Sequence, residues 1–160
     1  MNTFLEQVAK HRPGLAVHPT PIRVLALDPG ETTGYAIFRG VELLEVGQLK
    51  TTMMPLAAVR ISEFLTEVFP DKLVIEDYRV YKWKTDSHAW AELHTPRLIG
   101  AVEYIAHTRS LPMVKQSAQV GKGFCTDDRL KEWGFYKPAL RHGNDATRHA
   151  CQYLMFGAEF

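Results

Sequence analysis

Two apolar runs in this chain end on an acid, and those endings limit how it can fold. Val24-Leu25-Ala26-Leu27 runs into Asp28, and Leu73-Val74-Ile75 runs into Glu76. Short, continuous apolar runs bounded by turn residues read as strands buried on both faces, the kind found in parallel sheets. A carboxylate at the end of such a strand leaves water at a cost and needs a reason to be there. A third acid, Asp145, opens a final helical pattern and follows His142 by three residues.

The rest of the chain supplies a sheet for those strands. Residues 22–28 read as the first strand and residues 34–38, after a Gly-rich turn, as the second. A tight turn at Arg39-Gly40 leads to a third over 42–49, which makes a meander. Residues 54–69 show helical spacing, with Leu56, Val59, Phe64, Leu65 and Val68 on one broad face and Pro55 in the first turn. After the strand at 73–75, residues 86–108 are helical in pattern, and Pro96 is expected to break or kink any single helix there. A short strand fits 111–116. Thr126 caps a helix over 127–133 that Gly134 stops, and 144–155 makes the last helix, with Ala146, Ala150, Tyr153 and Leu154 on its core side. The order β-β-β-α-β-α-β-α-α predicts an α/β fold, a mixed sheet with helices on its faces. Residues 1–21, which carry Pro13, Pro19 and Pro21, read as an N-terminal arm with a short helix at 3–10. Residues 22–160 read as one domain.

Composition narrows the class. A chain of 160 residues, 46% hydrophobic, suits one domain with its own core. No apolar run approaches the roughly 20 residues of a membrane span, and none has the plan of a signal peptide, so the expectation is a cytoplasmic protein that does not engage membranes. Cys125 and Cys151 lack any Cys-x-x-Cys partner and read as buried thiols. Net charge is only +1, but residues 1–80 hold 8 Lys and Arg against 10 Asp and Glu, while residues 81–160 hold 11 against 8. A basic half beside an acidic centre suits a polyanion held against metals, although ordinary surface scatter gives the same numbers.

Three carboxylates brought together from Asp28, Glu76 and Asp145 can hold two hard cations through oxygen ligands. Two such metals about 4 Å apart activate a water and stabilise the leaving oxygen in an in-line attack on a phosphodiester. Gly30 and Gly34 allow a phosphate or metal to approach the backbone closely. Each acid also has a plainer reading: Asp28 as a turn starter, Asp145 as a helix N-terminal acid, Glu76 as a solvated strand end. Strand alternation points Asp77 away from Glu76. His142, three residues before Asp145, and His149, four after it, could each orient water or carry a proton near neutral pH. Arg148 and His149 are further candidates for substrate contact. After Glu76 the chain reads Asp77-Tyr78-Arg79-Val80-Tyr81-Lys82-Trp83-Lys84. Aromatics interleaved with cations stack exposed bases and neutralise phosphates, and the same pattern describes an amphipathic loop with Tyr81 and Trp83 packed inward. Lys122, between Gly121 and Gly123, reads as a flexible cation within reach of a phosphate, or as a plain turn lysine.

Taken in order, these motifs resemble the RuvC-type Holliday junction resolvases of the RNase H-like superfamily. The resemblance runs from about residue 23 to residue 154 and is carried by Leu25-Ala26-Leu27-Asp28-Pro29-Gly30-Glu31-Thr32-Thr33-Gly34-Tyr35, by Leu73-Val74-Ile75-Glu76 and by His142-Gly143-Asn144-Asp145-Ala146. Leu98-Ile99-Gly100-Ala101-Val102 resembles the helix after the second acid, and residues 116–122 the strand and loop that carry a DNA-contacting lysine. The chain looks most like the small resolvases of bacteriophages, which would put it in the host cytoplasm. The resemblance implies an RNase H-like fold with a mixed five-stranded sheet and helices on both faces. It implies a Mg²⁺- or Mn²⁺-dependent endonuclease, two ions per site, that nicks branched DNA such as four-way junctions and acts as a homodimer. Asp28, Glu76 and Asp145 carry over as metal ligands, His142 as the residue three before the last acid, and Lys122 as the phosphate-contacting lysine. Tyr78, Arg79, Tyr81, Lys82 and Lys84 are the matching DNA-binding candidates. Three departures stand out. Asp28 lies far from the N-terminus, Arg79 occupies the place of a junction-point aromatic, and residues 145–150 are more polar than the bacterial pattern. The helix around 88–107 is the candidate dimer face, with Trp90, Leu93, Leu98 and Val102 as anchors. The same residues also suit a nuclease for RNA or other DNA branches, or a non-catalytic module that binds branched nucleic acid. Sugar kinases and actin-like ATPases share the Asp-x-Gly start but need two such domains, more than 160 residues can hold.

Overall fold

The computed structural model describes residues 3–79 and 93–157. Tyr81, Lys82, Trp83, Lys84 and Trp90 lie outside the described residues. The sheet has five strands: β1 (Arg23–Asp28), β2 (Thr32–Arg39), β3 (Glu42–Lys50), β4 (Lys72–Asp77) and β5 (Met113–Ser117), in the order β3-β2-β1-β4-β5. The meander is antiparallel, while β1 and β4 and then β4 and β5 run parallel. The expected mixed five-stranded sheet is therefore present.

Alternation sorts each buried strand onto two cores. Val24 and Ala26 of β1, Val74 of β4 and Val114 of β5 face one cluster, while Leu25, Leu27, Leu73 and Ile75 face the other. Helices α3 (Leu56–Val68) and α4 (His94–Thr108) cover the second face. The first face takes α7 (Arg141–Phe156), with α6 (Asp127–Glu132) beside it. Each fully buried Leu, Ile or Phe in these clusters contributes about 1.5–3 kcal/mol relative to an exposed one. Helices thus lie on both faces, as expected.

Several elements differ from the sequence reading. The stretch expected to be an arm begins with α1 (Phe4–His11), which is built into the core, and a single turn, α2 (Pro13–Ala16), follows. A capping box between Thr3 and Glu6 starts α1, and Phe4 and Val8 are buried. The Phe4 ring lies 5.1 Å from Trp133, 5.2 Å from Phe135 and 5.9 Å from Phe38, centre to centre. On α3 the buried face is Ala57, Ile61, Leu65 and Val68, while Leu56 and Val59 stay 63% and 51% exposed. Alanine is a weak apolar signal, so the stripe sits about one residue round from the expected one. Pro96 falls in the first turn of α4, where a missing N–H breaks no helical bond, and it begins the helix instead of kinking it. Leu98 and Val102 of that helix are fully inside the chain's own core and cannot anchor a dimer. Residues 118–124 form a short helix, α5 (Ala118–Phe124), so Lys122 rides on a helix and not on a flexible turn. The last helix begins at Arg141, earlier than 144, which places His142 and Asp145 on one helix.

Two contacts bring the start of α7 onto the meander. Gly34 of β2 lies directly under it, and a Cβ there would collide with the His142 carbonyl. Gln48 of β3 accepts a hydrogen bond at 3.1 Å from the His142 backbone N–H. Asn144, in the first turn of α7, exchanges two hydrogen bonds with the backbone of Lys137 before the helix, at 2.9 and 2.8 Å. The first turn of α7 is thereby fixed over the end of β1.

Candidate active site

Asp28 is the last residue of β1, and Glu76 the last but one of β4. By alternation Asp28 follows Ala26, and Glu76 follows Val74, so both carboxylates leave the sheet on the face that α7 covers. Both sit at the carboxyl ends of parallel neighbours. Asp77 alternates to the opposite face, in line with Ile75, as expected. The turn after Asp28 is tied down: the Thr51 hydroxyl donates to the Gly30 carbonyl at 2.7 Å and lies 2.7 Å from the Thr33 hydroxyl.

Helix α7 carries His142, Asp145 and His149 along one stripe at helical spacing. Each sheet acid meets one histidine of that stripe. His142 Nδ1 lies 2.9 Å from Asp28 Oδ2, and His149 Nε2 lies 2.8 Å from Glu76 Oε2. Asp145 instead receives the guanidinium of Arg148, which also grips Asp127 at the first turn of α6 and donates to the Cys125 carbonyl at 3.0 Å. The side chains of Asp28 and Asp145 are each only 13% exposed.

The electrostatics tie the three acids into one centre. Burial pushes the Asp28 carboxyl up to about 6, with the Glu76 charge the next cause and the Asp145 charge adding to it, against a hydrogen bond from His142. Burial also lifts Asp145 above the usual carboxylate range. Lys122 opposes that lift, and Glu76 adds to it. The acids therefore feel one another across the sheet end, and their repulsion is only partly offset by α7.

That donor set fits hard divalent cations by its chemistry: three carboxylates, two of them backed by imidazoles. Among the described residues no group of three or more His, Cys, Asp or Glu side chains stands in a metal-ligating arrangement. Each acid is turned to its partner on α7. Asp28, Glu76 and Asp145 are the residues that could hold such ions, and the Asp28–His142 pair borders them.

The remaining candidates fall at different distances from this centre. Lys122 is exposed on α5, near enough to act on Asp145. Tyr78 is half-buried against the core under α3 and α4, and Arg79 is exposed. Cys125 and Cys151 are free, buried thiols, as expected. Two participants were missed by sequence reasoning. Gln116 of β5 pairs in register with Glu76 and puts its amide oxygen 2.8 Å from His149 Nδ1. Asp127 was read only as part of a capped helix. Alternation from Val114 could have found Gln116, but no local signal marks Asp127 as a partner of Arg148.

No protein-family model matches the sequence, and neither does any curated protein. The fold, however, is similar to that of solved structures. The T. thermophilus RuvC in complex with Holliday junction substrate superposes with a TM-score of 0.64 at 18% identity, over 84% of this chain and 94% of that one. The yeast mitochondrial Holliday junction resolvase gives 0.58 at 14% identity, over 96% and 92%. The Fowlpox virus resolvase, solved with substrate Holliday junction DNA, gives 0.59 at 12% identity, over 83% and 97%. This chain has the fold of the RuvC-type Holliday junction resolvases.

Proposed function

We propose that this chain is a metal-dependent, structure-selective endonuclease that nicks phosphodiester bonds in Holliday junctions and related branched DNA. The observation that carries the reading is the placement of Asp28 and Glu76 at the carboxyl ends of two parallel neighbours, on the face covered by the helix that carries Asp145. The fold it sits in is the one used by resolvases solved with junction DNA.

Held by these acids, two Mg²⁺ or Mn²⁺ ions would activate a water and neutralise the leaving oxygen of the scissile phosphodiester. The chain's own residues prepare that chemistry. The protein holds Asp28 and Asp145 largely out of water, which strengthens every charge interaction at the centre. His142 orients the Asp28 carboxylate through Nδ1 and places a group able to take or give a proton beside it. Lys122 supplies a cation on the rim, where a phosphate of the DNA backbone would approach Asp145. Arg79, just past the end of β4, supplies a candidate DNA contact, and Tyr81, Lys82 and Lys84 follow it in the sequence. A homodimer would set two such centres against a two-fold substrate, one for each symmetric strand.

The deciding experiment is a cleavage panel of linear, forked, flap and four-way DNA, with an RNA–DNA hybrid as a further arm, in Mg²⁺ and in Mn²⁺. Preferential, paired nicking of the four-way substrate is expected. Equal cutting of all substrates would demote the protein to a general nuclease, and binding without cutting would make it a binding module.

A further inference from the structure

We propose that His149 and Gln116 form a positioning pair that fixes the Glu76 carboxylate for cation binding; the inference rests on the reading of Glu76 as a metal ligand. His149 lies one turn beyond Asp145 on α7, and its side chain is only 2% exposed. A histidine so deeply enclosed reaches no substrate. Both of its ring nitrogens are nevertheless engaged, Nε2 at 2.8 Å from Glu76 Oε2 and Nδ1 at 2.8 Å from Gln116 Oε1.

The three residues come from three elements arranged for this contact. Glu76 and Gln116 are register partners on β4 and β5, and both leave the sheet toward α7. The imidazole is laid between them from above. Gly121 of α5 closes the side, since a Cβ there would lie 3.3 Å from His149 Cε1 and 3.4 Å from Nδ1. The ring thus lies close against the backbone of α5.

The chemistry of the contact has a direction. A carboxylate only accepts, so Nε2 must carry the proton that faces Glu76. The Gln116 amide then serves Nδ1 in either ring state, donating from its NH₂ group to a neutral ring or accepting from a protonated one. An amide side chain is a neutral partner that can do both. Glutamate has three rotatable bonds, and a carboxylate that must meet a cation gains from having one oxygen already anchored. The contact uses Oε2 and not Oε1. Anchoring of this kind is what partners behind a metal ligand do, and removing it weakens metal affinity by 10–100-fold. A purely structural buried pair would affect stability alone.

The test uses the full chain and Mn²⁺ as the probe, with affinity read from the electron paramagnetic resonance of free Mn²⁺ and folding from circular dichroism. His149→Leu is expected to weaken Mn²⁺ binding by about 10–100-fold, and Gln116→Met, which leaves the imidazole in place, by about tenfold. His149→Gln, whose amide can still donate to Glu76, is expected to recover part of the loss. In metal-free protein, imidazole ¹⁵N spectra should show Nε2 protonated, a preference that Glu76→Leu, which removes the acceptor, releases. If His149→Leu does not fold, Gln116→Met and the spectra decide. Folded variants that bind Mn²⁺ as tightly as the unsubstituted chain, while Glu76→Gln does not, would overturn the positioning role and leave the nuclease reading standing. An unsubstituted chain that binds no Mn²⁺ would overturn both.

Discussion

His142 Nδ1 and Asp28 Oδ2 meet at 2.9 Å across 114 positions of sequence. One belongs to the first turn of α7 and the other to the last residue of β1. The contact exists because Gly34 and Gln48 of the meander seat that turn, and it draws the last helix onto the first strand.

The acids themselves give the first prediction. Asp28→Asn or Glu76→Gln should abolish Mg²⁺-dependent nicking of four-way junctions, a loss of about a thousandfold or more, worth roughly 4 kcal/mol in the barrier. Junction binding in EDTA or Ca²⁺ should stay largely intact. Nicking gels and mobility shifts read the two effects separately, and full nicking by both variants would remove these residues from the chemistry.

A second prediction concerns pH. The Asp28 carboxyl is pushed up to about 6 in the folded chain, from an ordinary 3.8. The native state therefore holds this proton more tightly than the unfolded state. The stability that follows is complete below the unfolded value and is lost as pH rises through about 6. In EDTA at pH about 7.5, Asp28→Asn should be more stable than the unsubstituted chain by roughly 1–3 kcal/mol, and the gap should narrow by pH about 5. Thermal melts at the two pH values check this, and a gap that widens on acidification contradicts it.

Gly34→Ala tests the seat of α7. The added methyl has nowhere to go but into the His142 carbonyl, so a loss of about 3 kcal/mol is expected. Nicking should fall further than folding, because His142 shifts away from Asp28. Urea unfolding paired with activity measured on the folded fraction separates the two.

Lys122→Ala should lower the slope of log affinity against log salt by about one unit, with little change in stability, since the residue is exposed. An unchanged slope would mean that Lys122 does not touch phosphate.

At the far end of the chain, Phe4→Ala should destabilise the protein by about 3–5 kcal/mol. Its ring lies in edge or tilted contact with Phe38, Trp133 and Phe135. A denaturant midpoint equal to that of the unsubstituted chain would show α1 to be dispensable.

Those contrasts mark what the residues betray on their own. Strand alternation is a strict two-residue code, so the sequence alone set Asp77 on the face opposite Glu76. The burial of Ala146, Ala150, Tyr153 and Leu154 was equally legible, because a long helix repeats its signal over several turns. Short or weakly marked elements were not. Residues 118–124 hold two glycines and no apolar period, and only packing against α7 makes them a helix. Ala57 looked too small to define a face, and Leu56 and Val59 looked too large not to. Phe4 and Val8 could be recognised as core only once the aromatic wall of Phe38, Trp133 and Phe135 was in view. The Arg148 bridge from Asp145 to Asp127 joins residues whose local sequence explains each of them separately.

The order in which the acids occur has a consequence for synthesis. Asp28 and Glu76 sit on strands made early, while His142, Asp145, Arg148 and His149 arrive together on the final helix. Until α7 leaves the ribosome, Asp28 and Glu76 stand at the carboxyl ends of two central strands without the histidines that meet them. Asp145 and both histidines therefore reach the two strand-end acids on one element, and a chain cut before residue 141 lacks all three at once.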